Sequence, residues 1–335
     1  MRLIVAVVAV VCTVFLSLDT TAVLLTPVVV RTARQEGLSV LPVALATVWL
    51  ASTARLLLPM SNLTNLLAQN TLDGISPARF AAMMWAPALV AAVVPLLVIG
   101  LVFRTDLHMR SGRNPASTTR PDRVGGVGDG PAIGGSGAVS GQPAPDNTFL
   151  VASCAVLAIL LLLLVSGVPV WVPSTAAAIV LTALVAVRRR QALTMVLVPW
   201  PLLLFAAGMF LAMEAVRSLG APVLLGQLAG QGNGLLDLLR LAATGAAGAN
   251  LVNNLPAYLL IEPAAATPHR LAALLIGVNA GALVTPWASL ATLLWHDRLK
   301  RMNVVIRWKG YVLCGVVAAP LTVAAAVLAL ALESR

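Results

Sequence analysis

The sequence predicts an all-α integral membrane protein made of two inverted repeats, each holding a re-entrant hairpin and a broken helix. Three observations lead there. Hydrophobic residues make up 59% of the 335-residue chain and charged residues only 10%. With a mean hydropathy of +0.95, that leaves too little polar surface for a water-soluble fold. The apolar runs, rich in Leu, Val and Ala, have helix length and lack the period-2 alternation of barrel strands. Finally, two stretches on either side of a basic segment match each other. Registering Pro59 on Pro286 sets Asn62 against Ser289, Leu63 on Leu290, Asn65 against Thr292, and Leu66-Leu67 on Leu293-Leu294. Paired apolar segments, broken at corresponding places by small and polar residues, point to the binding site of a secondary transporter.

In chain order, residues 3–16 are apolar for about half a bilayer before Ser17 and Asp19. Residues 22–30 continue apolar to Arg31 and Arg34, so 3–30 reads as a re-entrant hairpin or as one polar-centred span. No small-residue cleavage site precedes the continuing apolar run, so no signal peptide is predicted. A long segment over 40–68 is broken around Ser52–Asn65, and 79–103 is an ordinary span. Residues 104–147 carry five arginines and then Gly, Pro and Ser clusters, the composition of a flexible linker between two membrane halves, 1–103 and 148–335. Spans follow at 148–166 and 171–187, then an interrupted one at 192–213. A broken polar-apolar region covers 219–262, a broken span 271–295, a basic loop 296–309 and a last span 310–332.

Basic loops stay cytoplasmic. With 104–147 inside, Arg31, Arg34, Arg188–Arg190 and the cluster Arg298, Lys300, Arg301, Arg307 and Lys309 fall on the same side, fifteen of the twenty-two lysines and arginines. That count requires the hairpins at 17–30 and 219–262 to open on opposite sides, which is the signature of an inverted repeat. Topology therefore accounts for the net charge of +10, and no nucleic-acid partner is expected. Cys12, Cys154 and Cys314 are far apart in apolar runs, with no CxxC or Cys/His cluster, so neither disulfide nor metal site is predicted. No Walker A or GxGxxG motif appears, and the three histidines show no catalytic or metal spacing; neither an enzyme nor a cofactor is expected.

Asp19, with Thr20 beside it, is the sharpest single feature. An aspartate between two apolar half-spans is costly in lipid and faces a cavity or a partner. One reading makes it a proton or cation site at a hairpin tip; the other makes it a helix cap near the cytoplasmic surface. Asn250, Asn253 and Asn254 occupy the corresponding place in the second half, followed by Pro256. Their amides offer donor and acceptor for a hydroxylated solute, an oxyanion or a cation, or bond neighbouring helices. Ser61, Asn62, Thr64 and Asn65, with Ser289 and Thr292, sit at the helix breaks, where unwound carbonyls and half-helix N-termini bind ion and solute. Ser52 and Asn279 align upstream of the breaks. Arg55 is a buried-segment charge with no counterpart in the second half. It is read as a partner for Asp19 or an anionic solute, or as a side chain snorkelling to the interface.

Together these residues resemble the arsenical pump membrane protein family, the arsenite permeases of the ion transporter superfamily that also holds citrate and dicarboxylate carriers. The likeness lies in Ser17–Pro27, Thr53–Asn65, Leu251–Pro256 and Val284–Trp295, in Phe103-Arg104-Thr105-Asp106, and in the closing basic loop and span. Leu18 stands where the family usually has Asn, and Arg55 where it usually has a small or uncharged residue. Set against the family, the chain is expected to begin inside the first hairpin, past the leading scaffold helices, with Met1 either a late start or the start of a shortened protein. The resemblance implies a multi-pass plasma-membrane carrier with linker 104–147 and loop 296–309 cytoplasmic. It implies export of arsenite or antimonite against inward proton movement, in some members with a separate ATPase subunit, and is compatible with a homodimer. Solute would bind between the Asp19 and Asn253–Asn254 tips and the two breaks. A citrate, dicarboxylate or other anion carrier of the same fold is the alternative, and a shortened, non-transporting membrane protein is the second.

Overall fold

Two prolines, Pro59 and Pro286, mark the helix breaks that place the site. The computed structural model describes residues 18–37, 39–72, 75–104, 147–166, 168–169, 171–188 and 200–333. Among the described residues there are thirteen α-helices and no β-strand. In order, they are α1 (Leu18–Gln35), α2 (Val40–Thr53), α3 (Leu63–Thr71), α4 (Pro77–Val102), α5 (Asn147–Val165), α6 (Trp171–Arg188) and α7 (Trp200–Ser218). These are followed by α8 (Ala221–Leu228), α9 (Leu235–Leu251), α10 (Asn254–Ile261), α11 (Pro268–Ala280), α12 (Leu290–Arg301) and α13 (Trp308–Glu333). The chain is an integral membrane protein: α4 and α13 are each 26 residues long and apolar enough to cross a bilayer.

Helix starts follow ordinary capping rules. Ser76 precedes Pro77 at the first position of α4 and accepts the Arg79 amide at 3.3 Å. Thr267 precedes Pro268 in the same way and accepts from the Arg270 amide at 3.3 Å. The expected span 192–213 is observed as α7 from Trp200, which turns through 78° at Leu219-Gly220 into α8. Gly220 supplies the positive φ of 83° that the bend needs. The basic loop expected over 296–309 is shorter, because α12 continues to Arg301. Asp297 and Arg301 pair one turn apart at 2.8 Å, and three basic residues in the last turn complement the helix dipole. The linker expected at 104–147 lies, apart from its end residues, outside the described residues, as do the apolar residues 3–16.

Between lipid-facing helices there is no hydrophobic drive to associate, so close packing and hydrogen bonds hold the bundle. At the centre lies α11, whose residues Arg270–Ala280 are all buried, the pattern of a helix apolar on every side. It crosses α9 through small residues: Gly277 and Gly281 face Ala242 and Ala246. A Cβ on Gly277 would fall 2.2 Å from the Ala242 carbonyl, and one on Gly281 would fall 2.3 Å from the Ala246 Cβ. This small-xxx-small crossing brings the two backbones together. Around α11 pack α4, α9, α10 and α13, through Phe80, Met84, Leu241, Tyr258 and Val327 among others. A second cluster, with Trp49, Trp295, Leu299 and Tyr311, joins α2, α12 and α13. α5 and α6 pair with each other.

Candidate functional site

Each break begins with a proline. A residue before proline is pushed to extended backbone, and Leu58 (φ −117°, ψ 144°) and Thr285 (φ −102°, ψ 148°) both obey. A single 3₁₀ turn follows in each case, Pro59–Ser61 and Pro286–Ala288, and then one extended residue, Asn62 (−157°, 146°) or Ser289 (−141°, 134°), before the helix resumes. The two breaks therefore share one backbone shape in the register that pairs Asn62 with Ser289. Asn and Ser are favoured N-cap residues, yet neither side chain caps its helix. Asn62 is committed to Thr64 and Asn279 instead, and the first-turn amides of α3 and α12 keep their positive dipole ends uncapped by these side chains.

In the first break the polar side chains hold one another. Asn65, fully buried, donates to the Arg55 carbonyl at 2.8 Å and the Leu58 carbonyl at 3.1 Å, and the Ser61 hydroxyl donates to Leu58 at 2.8 Å. Asn62 donates to Thr64 and, at 2.8 Å, to the Asn279 carbonyl oxygen on α11. Asn279 returns bonds to Thr64 at 3.2 Å and Asn65 at 3.5 Å. Asn279 is thus the side chain through which α11 reaches this break, and its burial is complete. It stood in the sequence as the aligned partner of Ser52, but not among the expected binding residues. The signal that marked it was the register alone. Arg55 lies in a 3₁₀ turn, Ala54–Leu56, and is fully buried rather than extended to an interface.

The second break is braced from the α9–α10 hairpin. The Asn250 amide donates to the Ala246 and Gly281 carbonyls, both at 2.8 Å, while its oxygen accepts from the Val284 and Thr285 amides at 3.2 and 2.9 Å. The Asn250 carbonyl accepts the Thr285 hydroxyl at 2.9 Å and the Trp287 indole at 2.8 Å. Asn253 donates to the Trp287 carbonyl at 2.8 Å from a backbone at φ 131°, ψ 157°, a region that side-chain-bearing residues rarely enter. Asn254 accepts the neighbouring Leu255 amide at 3.0 Å. From the other side, Gly315 of α13 lies against the break; a Cβ there would fall 2.3 Å from the Leu283 carbonyl. Thr285 and Trp287 carried no sequence signal beyond belonging to the stretch Val284–Trp295, and Gly315 carried none.

Ser289 and Thr292 are fully buried, and their hydroxyls have no hydrogen-bond partner. The Tyr311 phenol lies near Thr292 and the Trp49 indole without an aligned bond to either. Buried hydroxyls and indoles without partners are rare and mark places where a polar group is accommodated. The structure thus brings Asn62, Thr64, Asn65 and Asn279 into one cluster and Asn250, Asn253, Thr285 and Trp287 into another. Ser289 and Thr292 open the helix after the latter. Asp19 and Thr20 fall in the first described turn of α1; their side chains lie outside the described set. Among the described residues no group of His, Cys, Asp or Glu is arranged to hold a metal ion.

Helix breaks of one shape, half-helix N-termini without side-chain caps and asparagine amides at both are the equipment of a membrane transporter. The comparisons agree. The citrate transporter family matches residues 1–291. The arsenical pump membrane protein of Escherichia coli (strain K12) is 28% identical over 324 residues, covering 89% of this chain and 69% of the relative. The same figures hold for the arsenical pump membrane protein of Shigella flexneri, and that of Yersinia enterocolitica is 27% identical over 324 residues. With the family matched across most of its length, the chain belongs to the citrate transporter family and is an integral membrane transporter.

Proposed function

We propose that this chain is a secondary active carrier that exports arsenite and antimonite across the plasma membrane by alternating access, coupled to inward proton movement. One observation carries the reading: the groups gathered at the breaks are uncharged amides and hydroxyls, and Arg55 is the one fully buried cation beside them among the described residues. Arsenous acid, As(OH)₃, is a neutral solute with three hydroxyls, and asparagine, serine and threonine supply matching donors and acceptors. A citrate trianion drawn into the same place would keep charges uncompensated, at several kcal/mol for each. The names of the relatives point the same way.

The coupling follows from the same inventory. Carbonyls of unwound helix are what a coupling cation uses. Here the Arg55, Leu58, Gly281 and Trp287 carbonyls already accept side-chain amide protons from Asn65, Asn250 and Asn253. Gain and loss of a proton at Asp19 is the step proposed for coupling: protonation from outside favours one face, and release inside resets it. In this reading the membrane halves are 1–103 and 148–335, joined by the cytoplasmic linker 104–147, with loop 296–309 on the same side. The halves are inverted repeats. A separate ATPase subunit and a second copy are the partners proposed.

The test is cellular arsenic in an arsenite-sensitive bacterium expressing the chain. The expected result is lower accumulation than in control cells, returning to the control level with Asp19→Asn and with Asn279→Ala, and indifferent to external citrate or sodium. Unchanged arsenic with the protein confirmed in the membrane overturns the proposal. Citrate uptake by the same cells would establish the organic-anion carrier in its place, with Arg55 at the carboxylates.

A further inference from the structure

A wide opening among the described residues lies not at the breaks but at the far end of the helices that carry them. A cavity of about 930 Å³ is lined by Leu72 at the end of α3, by Ser76, Arg79 and Ala82 of α4, by His269 of α11 and by Glu333 of α13. Its position along the bundle follows from helix geometry. Asn65 is seven residues from Leu72 on α3, and Asn279 is ten residues from His269 on α11, roughly 10 and 15 Å at 1.5 Å per residue. The helices α3 and α11 pack together, so the cavity sits over the seam whose other end is the Asn62–Asn279 cluster.

The two ends of the bundle differ in kind. α13 runs from Trp308 to Glu333, about 39 Å, so the cavity is a membrane thickness away from Arg301, Arg307 and Lys309. Arg34 of α1 joins that basic end by donating to the Met302 carbonyl at 2.8 Å. The basic end is shut by aromatic rings: Trp49, Trp295 and Trp308 surround Tyr311 with centroids 6.4, 6.2 and 5.6 Å away, and His296 stacks on Trp308 at 4.4 Å. Trp49, Trp295 and Tyr311 are at most 2% exposed. At the cavity end, Arg79, His269 and Glu333 come from three different helices and present cation, imidazole and carboxylate to one volume. Such a rim is hydrated and is not a seat for acyl chains.

We infer that this cavity is the external mouth of the solute path, through which a small hydroxylated solute and its counter-moving protons pass between the outside water and the Asn62–Asn279 cluster. The aromatic lattice around Tyr311 is the closed internal end. The solute named here rests on the export reading above; the location of the mouth does not. Basic flanks face the cytoplasm, which places Arg79, His269 and Glu333 outside.

The inference is tested by thiol labelling of the full chain in cells. Cys12, Cys154 and Cys314 are first replaced by serine, and single cysteines are then introduced. Ala82→Cys lies in the cavity wall. Val305→Cys, 88% exposed in the loop after α12, reports the basic end. Gln231→Cys, in the exposed turn after α8, reports the cavity end outside the mouth. A membrane-impermeant maleimide is expected to label Ala82→Cys and Gln231→Cys in intact cells, and Val305→Cys only after permeabilisation. Labelling of Ala82→Cys is expected to reduce arsenite export at least about fivefold, and labelling of Gln231→Cys to leave it unchanged. Ala82→Cys protected in intact cells overturns the inference, as does full labelling with unchanged export. If the unlabelled chain exports no arsenite, the export reading fails. The mouth then stands or falls on the labelling pattern alone.

Discussion

Replacing Asn250 by alanine separates a brace from a ligand. The side chain donates to two carbonyls and accepts from the Val284 and Thr285 amides and the Thr285 hydroxyl. Two of the abandoned groups keep other partners: Ala246 lies within α9, and the Gly281 carbonyl also accepts the Leu283 amide at 2.9 Å. The Val284 and Thr285 amides do not, and an orphaned donor costs about 1–3 kcal/mol. Interhelical bonds in membranes average nearer 0.6 kcal/mol, because the unfolded chain in lipid also finds partners. A loss of about 2–4 kcal/mol follows, which at roughly 2 °C per kcal/mol for a chain of this size lowers the melting point by about 4–8 °C. The assay is thermal unfolding of purified protein in one detergent, with Asn254→Ala as the comparison, since Asn254 bonds only the next residue's amide. Asn254→Ala is expected within about 2 °C of the parent, and both variants are assayed for export. Asn250→Ala with the parent's melting point and no transport would refute the brace: the amide would then serve the solute and not the break.

Two further outcomes check the packing. Gly277→Val is expected to yield little folded protein, because its Cβ meets the Ala242 backbone carbonyl at 2.2 Å where α9 and α11 cross; Gly100→Val, with nothing within 4 Å, is expected to purify like the parent in size-exclusion chromatography. Arg270→Lys is expected to speed proteolysis within residues 229–234. The buried guanidinium donates to the Ala264, Gly232, Gly230 and Ala229 carbonyls, and an ammonium cannot span them, a loss of about 2–4 kcal/mol.

Much of this was legible in the residues, for identifiable reasons. The breaks announce themselves because proline removes a donor and fixes the residue before it, so Pro59 and Pro286 mark both position and shape. The long apolar helices α4 and α13 follow from hydropathy, and the register that pairs Asn62 with Ser289 survives in the backbone angles. Partnership between residues far apart in sequence was not legible. Nothing near Asn279 says that its amide meets Asn62, 217 residues away, and nothing near Arg270 says that three carbonyls of the 229–232 turn await it. Asn250 and Asn253 were visible as unusual polar residues in an apolar run. Whether such amides face solute or carbonyl depends on the packing of α9 against the second break, which no local pattern encodes. The end of α12 hides for the opposite reason: its basic residues serve as topology signals and also stabilise a helix end.

The two polar clusters differ in how easily they exchange partners, and that difference suits a carrier. Asn250 and Asn253 tie the α9–α10 hairpin to the second break by bonds that mostly end on backbone, so hairpin and break are held as one unit. The Asn62–Asn279 cluster joins side chain to side chain, at 2.8 to 3.5 Å. Amides and hydroxyls there can trade one another for the hydroxyls of a solute at nearly constant hydrogen-bond count. A ligand shifts a conformational equilibrium only by its difference in affinity for the two states. A solute that substitutes for Asn279 at Asn62 and Thr64 makes that difference where α11 meets the first break. On the export reading proposed above, bonds of about 1 kcal/mol each would be weak enough to release the solute again when the other state is favoured.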